Sequence, residues 1–171
     1  MSGDLSASVH AERAAQEAAL RQHEVLRRFA ESRRALAADP YRPLYHFVSP
    51  EGGLNDPNGL CFWRGQWHLF YQAFPPANPR PHWGHVVSPD LIHWRDLPYA
   101  ITPGPEEACW SGATLVEPER VIAMYHGHQL GNMVAVASDP LLLNWTKLTG
   151  TAVIPNPCPI WTRTTGAETM P

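Results

Sequence analysis

The sequence predicts an all-β fold, a partial β-propeller of about two blades, preceded by an N-terminal α-helix. Three observations predict it. Short apolar runs recur after residue 45 at an interval of 50 to 54 residues. The chain beyond residue 40 is punctuated by most of its 18 prolines and 7 tryptophans, which favours short strands between irregular loops. The stretch from Val9 to Ala38, by contrast, contains neither glycine nor proline. The chain therefore divides into a helical segment, 1–40, and a propeller region, 41–171.

The helical segment is rich in Ala, Glu, Arg and Leu, with Ser6 and Ser8 as candidate caps and Pro40 as its stop. Glu17 with Arg21, and Glu24 with Arg28, stand at the favourable i,i+4 spacing. Val9, Leu20, Val25, Leu26, Phe29 and Leu36 form a thin apolar stripe. Such a stripe lays a helix on a domain but is too sparse to specify a groove partner.

The strand-like runs are Leu60–Trp63, Trp67–Tyr71 and His85–Ser88, then Ala113–Glu117, Arg120–Tyr125 and Met133–Ser138. Gly59-Leu60 recurs as Gly112-Ala113, Phe70-Tyr71 as Met124-Tyr125, and Ser88, Trp94 and Leu97 as Ser138, Trp145 and Leu148. Each copy reads as three strands and a closing segment that ends in Trp-x-x-Leu. Two antiparallel sheets of about four strands follow. A propeller closes with roughly four or more blades, so two units read as a fragment with open blade edges. Trp94 and Trp145 are expected to pack in the core, and Asp90, Asp96 and Asp139 to form turns.

A net charge of −3 gives no electrostatic case for nucleic acid or an anionic membrane surface. With 44% hydrophobic and 17% charged residues the chain is expected to fold, and its apolar runs are too short to span a bilayer. No basic and apolar leader opens the sequence, so the expected location is cytoplasmic. Cys61, Cys109 and Cys158 are odd in number and form no C-x-x-C pair, which suits buried free thiols. His68, His82, His85, His93, His126 and His128 lack a consistent ligand spacing. Neither a metal nor a cofactor is expected.

The chemistry is carried by Gly53-Leu54-Asn55-Asp56-Pro57-Asn58-Gly59. A rigid loop here would hold Asp56 as a carboxylate nucleophile needs, with Gly59 free to take a positive φ. By itself the segment reads more readily as an Asx-turn. Its surroundings reverse that balance. Trp67 to Gln72, His82 to His85, Ser88 to Trp94 and Trp110-Ser111-Gly112 gather amides, hydroxyls and aromatic faces around one carboxylate, a set that suits a sugar.

The pattern Tyr45-His46-Phe47, Asn55 to Gly59, Leu69 to Gln72, Trp83-Gly84-His85, Ser88 to Trp94 with Leu97-Pro98, and Ser111-Gly112 covers the stretch from about Arg42 to Pro155. It resembles the N-terminal part of the five-bladed propeller of glycoside hydrolase family 32, the invertase, inulinase and levanase group. The resemblance implies retaining hydrolysis of β-fructofuranosides, with a fructoside as the partner. Asp56 would be the nucleophile, and Asn55, Gln72, Trp83, Trp110 and Ser111 would bind substrate.

The chain departs from the family in two respects. The family's Arg-Asp-Pro and Glu-Cys motifs, which supply a stabilising aspartate and the general acid/base, do not occur. Phe74 to Pro81 stands where many relatives carry an extra Trp-Gly. A chain without the acid/base is expected to be inactive alone. Two other readings are a propeller hydrolase or transferase acting on another furanoside, and a non-catalytic carbohydrate-binding propeller fragment.

Overall fold

The computed structural model describes residues 3–43 and 45–156. Cys158 therefore lies outside the described residues. Among the described residues two helices, α1 (Gly3–Leu20) and α2 (Glu24–Leu36), precede nine strands. Strands β1 (Gly53–Trp63), β2 (Gln66–Phe74), β3 (His82–Ser88) and β4 (Arg95–Ile101) form one sheet in sequential order. A second sheet runs through β5 (Cys109–Val116), β6 (Val121–Gly127), β7 (Gly131–Ala137) and β8 (Thr146–Lys147), with the short β9 (Ile154–Pro155) also on β7. Every neighbouring pair is antiparallel. These are two adjacent propeller blades, with β1 and β5 as the innermost strands.

The period-2 pattern drives their packing. Along β6, Val121, Ala123 and Tyr125 are buried, and along β7 Met133, Ala135 and Ala137, while the alternating residues are not. These side chains meet Cys61, Trp63, Phe70, Trp83 and Ile101 of the first blade in one shared core. Trp83 and Tyr125 pack across the boundary with ring centroids 5.8 Å apart. Trp145 stands edge-on to Phe70, and Trp94 packs against the Tyr71 cluster, so both blade-end tryptophans lie half-buried against the core. Burying one large apolar side chain contributes about 1.5–3 kcal/mol, and the two blades stabilise each other through this cluster.

The helical segment differs from the single helix expected over residues 9–38. It starts earlier, so Ser6 and Ser8 fall inside α1, and it breaks at Arg21-Gln22-His23. The break follows from packing. Leu20 of α1 is buried with Val87, Leu97 and Leu141, and Gln16 holds the Asp139 turn through Oδ1 of Asp139 at 2.5 Å and the Leu141 amide at 3.1 Å. Phe29 of α2 is buried edge-on to Tyr99, 5.6 Å away. Each helix thus has its own anchor point.

The two expected intrahelical ion pairs give way to tertiary ones, while Arg27 and Glu31 pair within α2 at 3.0 Å. Glu17 pairs with Arg95, and Arg28 with Glu51, at 2.9 and 2.6 Å. Asp96 is no turn former, because Arg33 grips it from α2 at 2.5 Å. Asp90 and Asp139 do form turns, each accepting backbone N–H bonds from the residues that follow. Cys61 and Cys109 are buried and free, and burial pushes the Cys61 thiol up to about 11. No described helix is long and apolar enough to cross a membrane.

Candidate active site

The Asn-Asp-Pro-Asn-Gly segment is not a turn before the first strand. It lies within β1, whose register slips twice against β2, between Leu54 and Pro57 and again between Asn58 and Cys61. These irregularities absorb the proline, and the first of them carries Asn55 and Asp56 out of the ladder. Gly59 adopts φ +49°, and a Cβ there would stand 2.6 Å from Cγ2 of Thr114 on the neighbouring blade. Glycine is thus required twice over, by conformation and by the approach of β5.

Asp56 meets partners from two other strands. Ser111 Oγ, in β5, donates to Asp56 Oδ2. Gln72 Nε2, in β2, lies 2.7 Å from Ser111 Oγ and 3.4 Å from Asp56 Oδ2. Gln72 is buried, whereas Asp56 and Ser111 are exposed on the inner strands. Both donors engage Oδ2. Oδ1 accepts no hydrogen bond from the described residues.

The other candidate residues sit differently. Asn55 is exposed beside Asp56. Trp110 is half-buried beside Ser111, and its indole N–H reaches Nδ1 of His128 at 3.3 Å. Trp83 belongs to the blade core rather than to an open sugar-facing surface. It is 0% exposed, and its indole N–H donates to the Trp110 carbonyl at 2.8 Å. Being wedged between sheets leaves its ring no face for a ligand.

Two features beneath the site were not read from the sequence. Asn58 is buried, and its Oδ1 accepts a long bond from the Gly112 amide at 3.4 Å, while Thr114 Oγ1 donates to the Gly59 carbonyl at 2.9 Å. These bonds tie β1 to β5 just below Asp56. Further out, fully buried Glu106 accepts from Lys147 Nζ and, at 2.8 Å, from Tyr125 OH. The ammonium and hydroxyl keep its carboxyl below the usual range against the opposing effect of burial. The one available signal was that Lys147 is the sole lysine.

In the first blade His68 Nδ1 and His85 Nε2 face each other at 2.9 Å, both rings buried. Burial holds His68 down to about 4 and His85 well below the ordinary histidine value. They are neutral structural imidazoles. Among the described residues no group of three or more His, Cys, Asp or Glu side chains is placed to hold a metal ion.

Two antiparallel blades with a carboxylate clamped between their innermost strands define part of a β-propeller protein. The chain belongs to glycosyl hydrolase family 32: residues 46–164 match the model of the family's N-terminal domain. It is 37% identical over 137 residues to a levanase of Bacillus subtilis, covering 70% of this chain and 20% of that protein. It is 40% identical over 125 residues to a fructan 6-exohydrolase of Beta vulgaris, covering 64% of this chain and 20% of that one. Among solved structures it is similar to fructan 1-exohydrolase IIa of Cichorium intybus, with a TM-score of 0.64 and 35% identity over 70% of this chain and 25% of that chain. The chain thus spans about a fifth of the length of the curated relatives it matches.

Proposed function

We propose that this chain forms the nucleophile-bearing part of a retaining β-fructofuranosidase. The observation that carries the reading is the Asp56 carboxylate, held through one oxygen by Ser111 and Gln72 and open at the other. The relatives support the substrate class. Fructan 1-exohydrolase IIa of Cichorium intybus has been solved with 1-kestose, and a Bombyx mori β-fructofuranosidase with sucrose.

In this reading Asp56 Oδ1 attacks the anomeric carbon of the fructosyl unit. The bond to the leaving oxygen breaks, and that oxygen keeps the electron pair and takes a proton from a general acid. Water then adds to the anomeric carbon as it gives a proton back to that acid, which releases fructose and restores the carboxylate. Ser111 and Gln72 hold the attacking group in one orientation, and Asn55 and Trp110 line the same sugar subsite.

The proton donor must be a second carboxyl about 5–5.5 Å from the nucleophile. Glu106 does not serve, since it is buried and engaged by Lys147 and Tyr125. In this reading the donor is the glutamate of the family's Glu-Cys motif, which this sequence does not contain. In an active longer polypeptide containing these residues, Asp56→Asn is expected to lower sucrose hydrolysis about 10⁴-fold or more. A variant that keeps a tenth of the activity would overturn the assignment.

A further inference from the structure

The carbonyl of Trp110 lies at a break in the register of its own sheet. The β5–β6 ladder pairs Cys109 with Gly127 and resumes at Gly112 with Tyr125, leaving Trp110 and Ser111 in the gap. A bulge of this kind frees backbone groups that must find partners elsewhere. The partner here comes from the other blade. Trp83 Nε1 donates to the Trp110 carbonyl at 2.8 Å.

That donor has little freedom to move. Trp83 is fully buried, and its ring packs against Phe70 and Tyr125 at centroid distances of 5.6 and 5.8 Å. One residue before the bulge, the Cys109 amide donates to the Pro81 carbonyl at 2.9 Å, a second bond to the chain leading into β3. Ser111 follows directly, and its hydroxyl is the group that meets Asp56 and Gln72.

We propose that Trp83 is a positioning residue: its indole N–H pins the Trp110-Ser111 bulge from the neighbouring blade and thereby sets the Ser111 hydroxyl against Asp56. This rests on the reading of Asp56 and Ser111 as the site. Its test reads geometry and not catalysis, so its failure leaves the Asp56 assignment standing.

A matched control exists in the same core cluster. Trp145 Nε1 donates to the Leu142 carbonyl at 2.9 Å, within the second blade's closing turn and without a bond to the bulge. Trp83→Phe and Trp145→Phe each remove one indole-to-carbonyl bond and keep an aromatic ring. The readout is the Gln72 side-chain amide, followed by nuclear magnetic resonance in the full chain.

Trp83→Phe is expected to speed hydrogen exchange of that amide about tenfold, and Trp145→Phe to change it less than about twofold while also lowering the denaturation midpoint. An unchanged Gln72 amide in Trp83→Phe, or equal changes in both variants, would overturn the proposal. In the unaltered chain the Trp83 indole N–H is expected to exchange as slowly as the Cys109 amide. Rapid exchange at that indole would overturn the proposal whether or not either variant folds.

Discussion

Asp56 and Ser111 occupy the same place in successive blades, and one donates a hydrogen bond to the other. Asp56 lies in the register gap between the Leu54–Ala73 and Pro57–Tyr71 pairs of the first sheet. Ser111 lies in the gap between Cys109–Gly127 and Gly112–Tyr125 of the second. The bulge is thus part of the blade repeat, and two copies of one irregularity turn a carboxylate and a hydroxyl toward each other.

Removing the hydroxyl tests that relationship. Ser111→Ala takes away a charge-assisted donor to Asp56 and leaves Gln72 with a longer reach. In an active longer polypeptide it is expected to lower kcat/KM about ten- to hundredfold. Steady-state kinetics with sucrose checks this, and a change below twofold would show that the contact does not matter to the reaction.

Gly59→Ala probes the fit between blades. The new methyl would meet Thr114 at a backbone φ that alanine adopts with strain. The expected loss is about 1–3 kcal/mol, read from the denaturation midpoint. A neutral result would mean that β1 and β5 separate freely at this point.

Glu106 is the acceptor for Lys147 and Tyr125 in the second blade's core. Glu106→Leu leaves the ammonium and the phenol without it, and is expected to cost about 3 kcal/mol. Chemical denaturation of the variant checks the figure. A loss well under 1 kcal/mol would show that the pair is replaceable.

The buried imidazoles predict acid sensitivity. His68, His85 and His82, all buried, have folded-state values below the ordinary one, chiefly through burial. The unfolded chain binds these protons near pH 6.5, as free imidazoles do, while the folded chain resists them. Their stabilising contribution is complete above about pH 6.5 and is lost as pH falls toward about 4, where His68 titrates. Denaturation midpoints at about pH 7.5, 6 and 5 should fall in that order. A flat series contradicts neutral burial.

Much of the architecture was legible because each blade repeats an alternating apolar pattern and closes on Trp94 or Trp145. The Asp56 segment was harder. Asn, Pro and Gly in one heptapeptide carry turn chemistry, and only the bulge in the β1–β2 ladder explains how they lie in a strand. For the same reason the apparent match of Gly59 with Gly112 is not a structural one. Pro57 and Gly112 are the equivalent pair, each opposite a tyrosine of the next strand. The helix break at residues 21–23 and the burial of Trp83 depend on contacts distant in sequence, to which local pattern is blind. The Glu106–Lys147 pair, 41 residues apart, was hidden likewise.

The role of Asp56 is best examined by trapping the intermediate it would form. A fructosyl donor with an activated leaving group needs little help from a general acid in the first step, so the covalent ester accumulates when its hydrolysis is slow. An active longer polypeptide containing these residues is incubated with such a donor, quenched in acid and mapped by peptide mass spectrometry. One fructosyl unit should appear on the peptide containing Asp56, and none in the Asp56→Asn variant. A fructosyl ester on a different carboxylate, with Asp56 unmodified, would contradict the assignment.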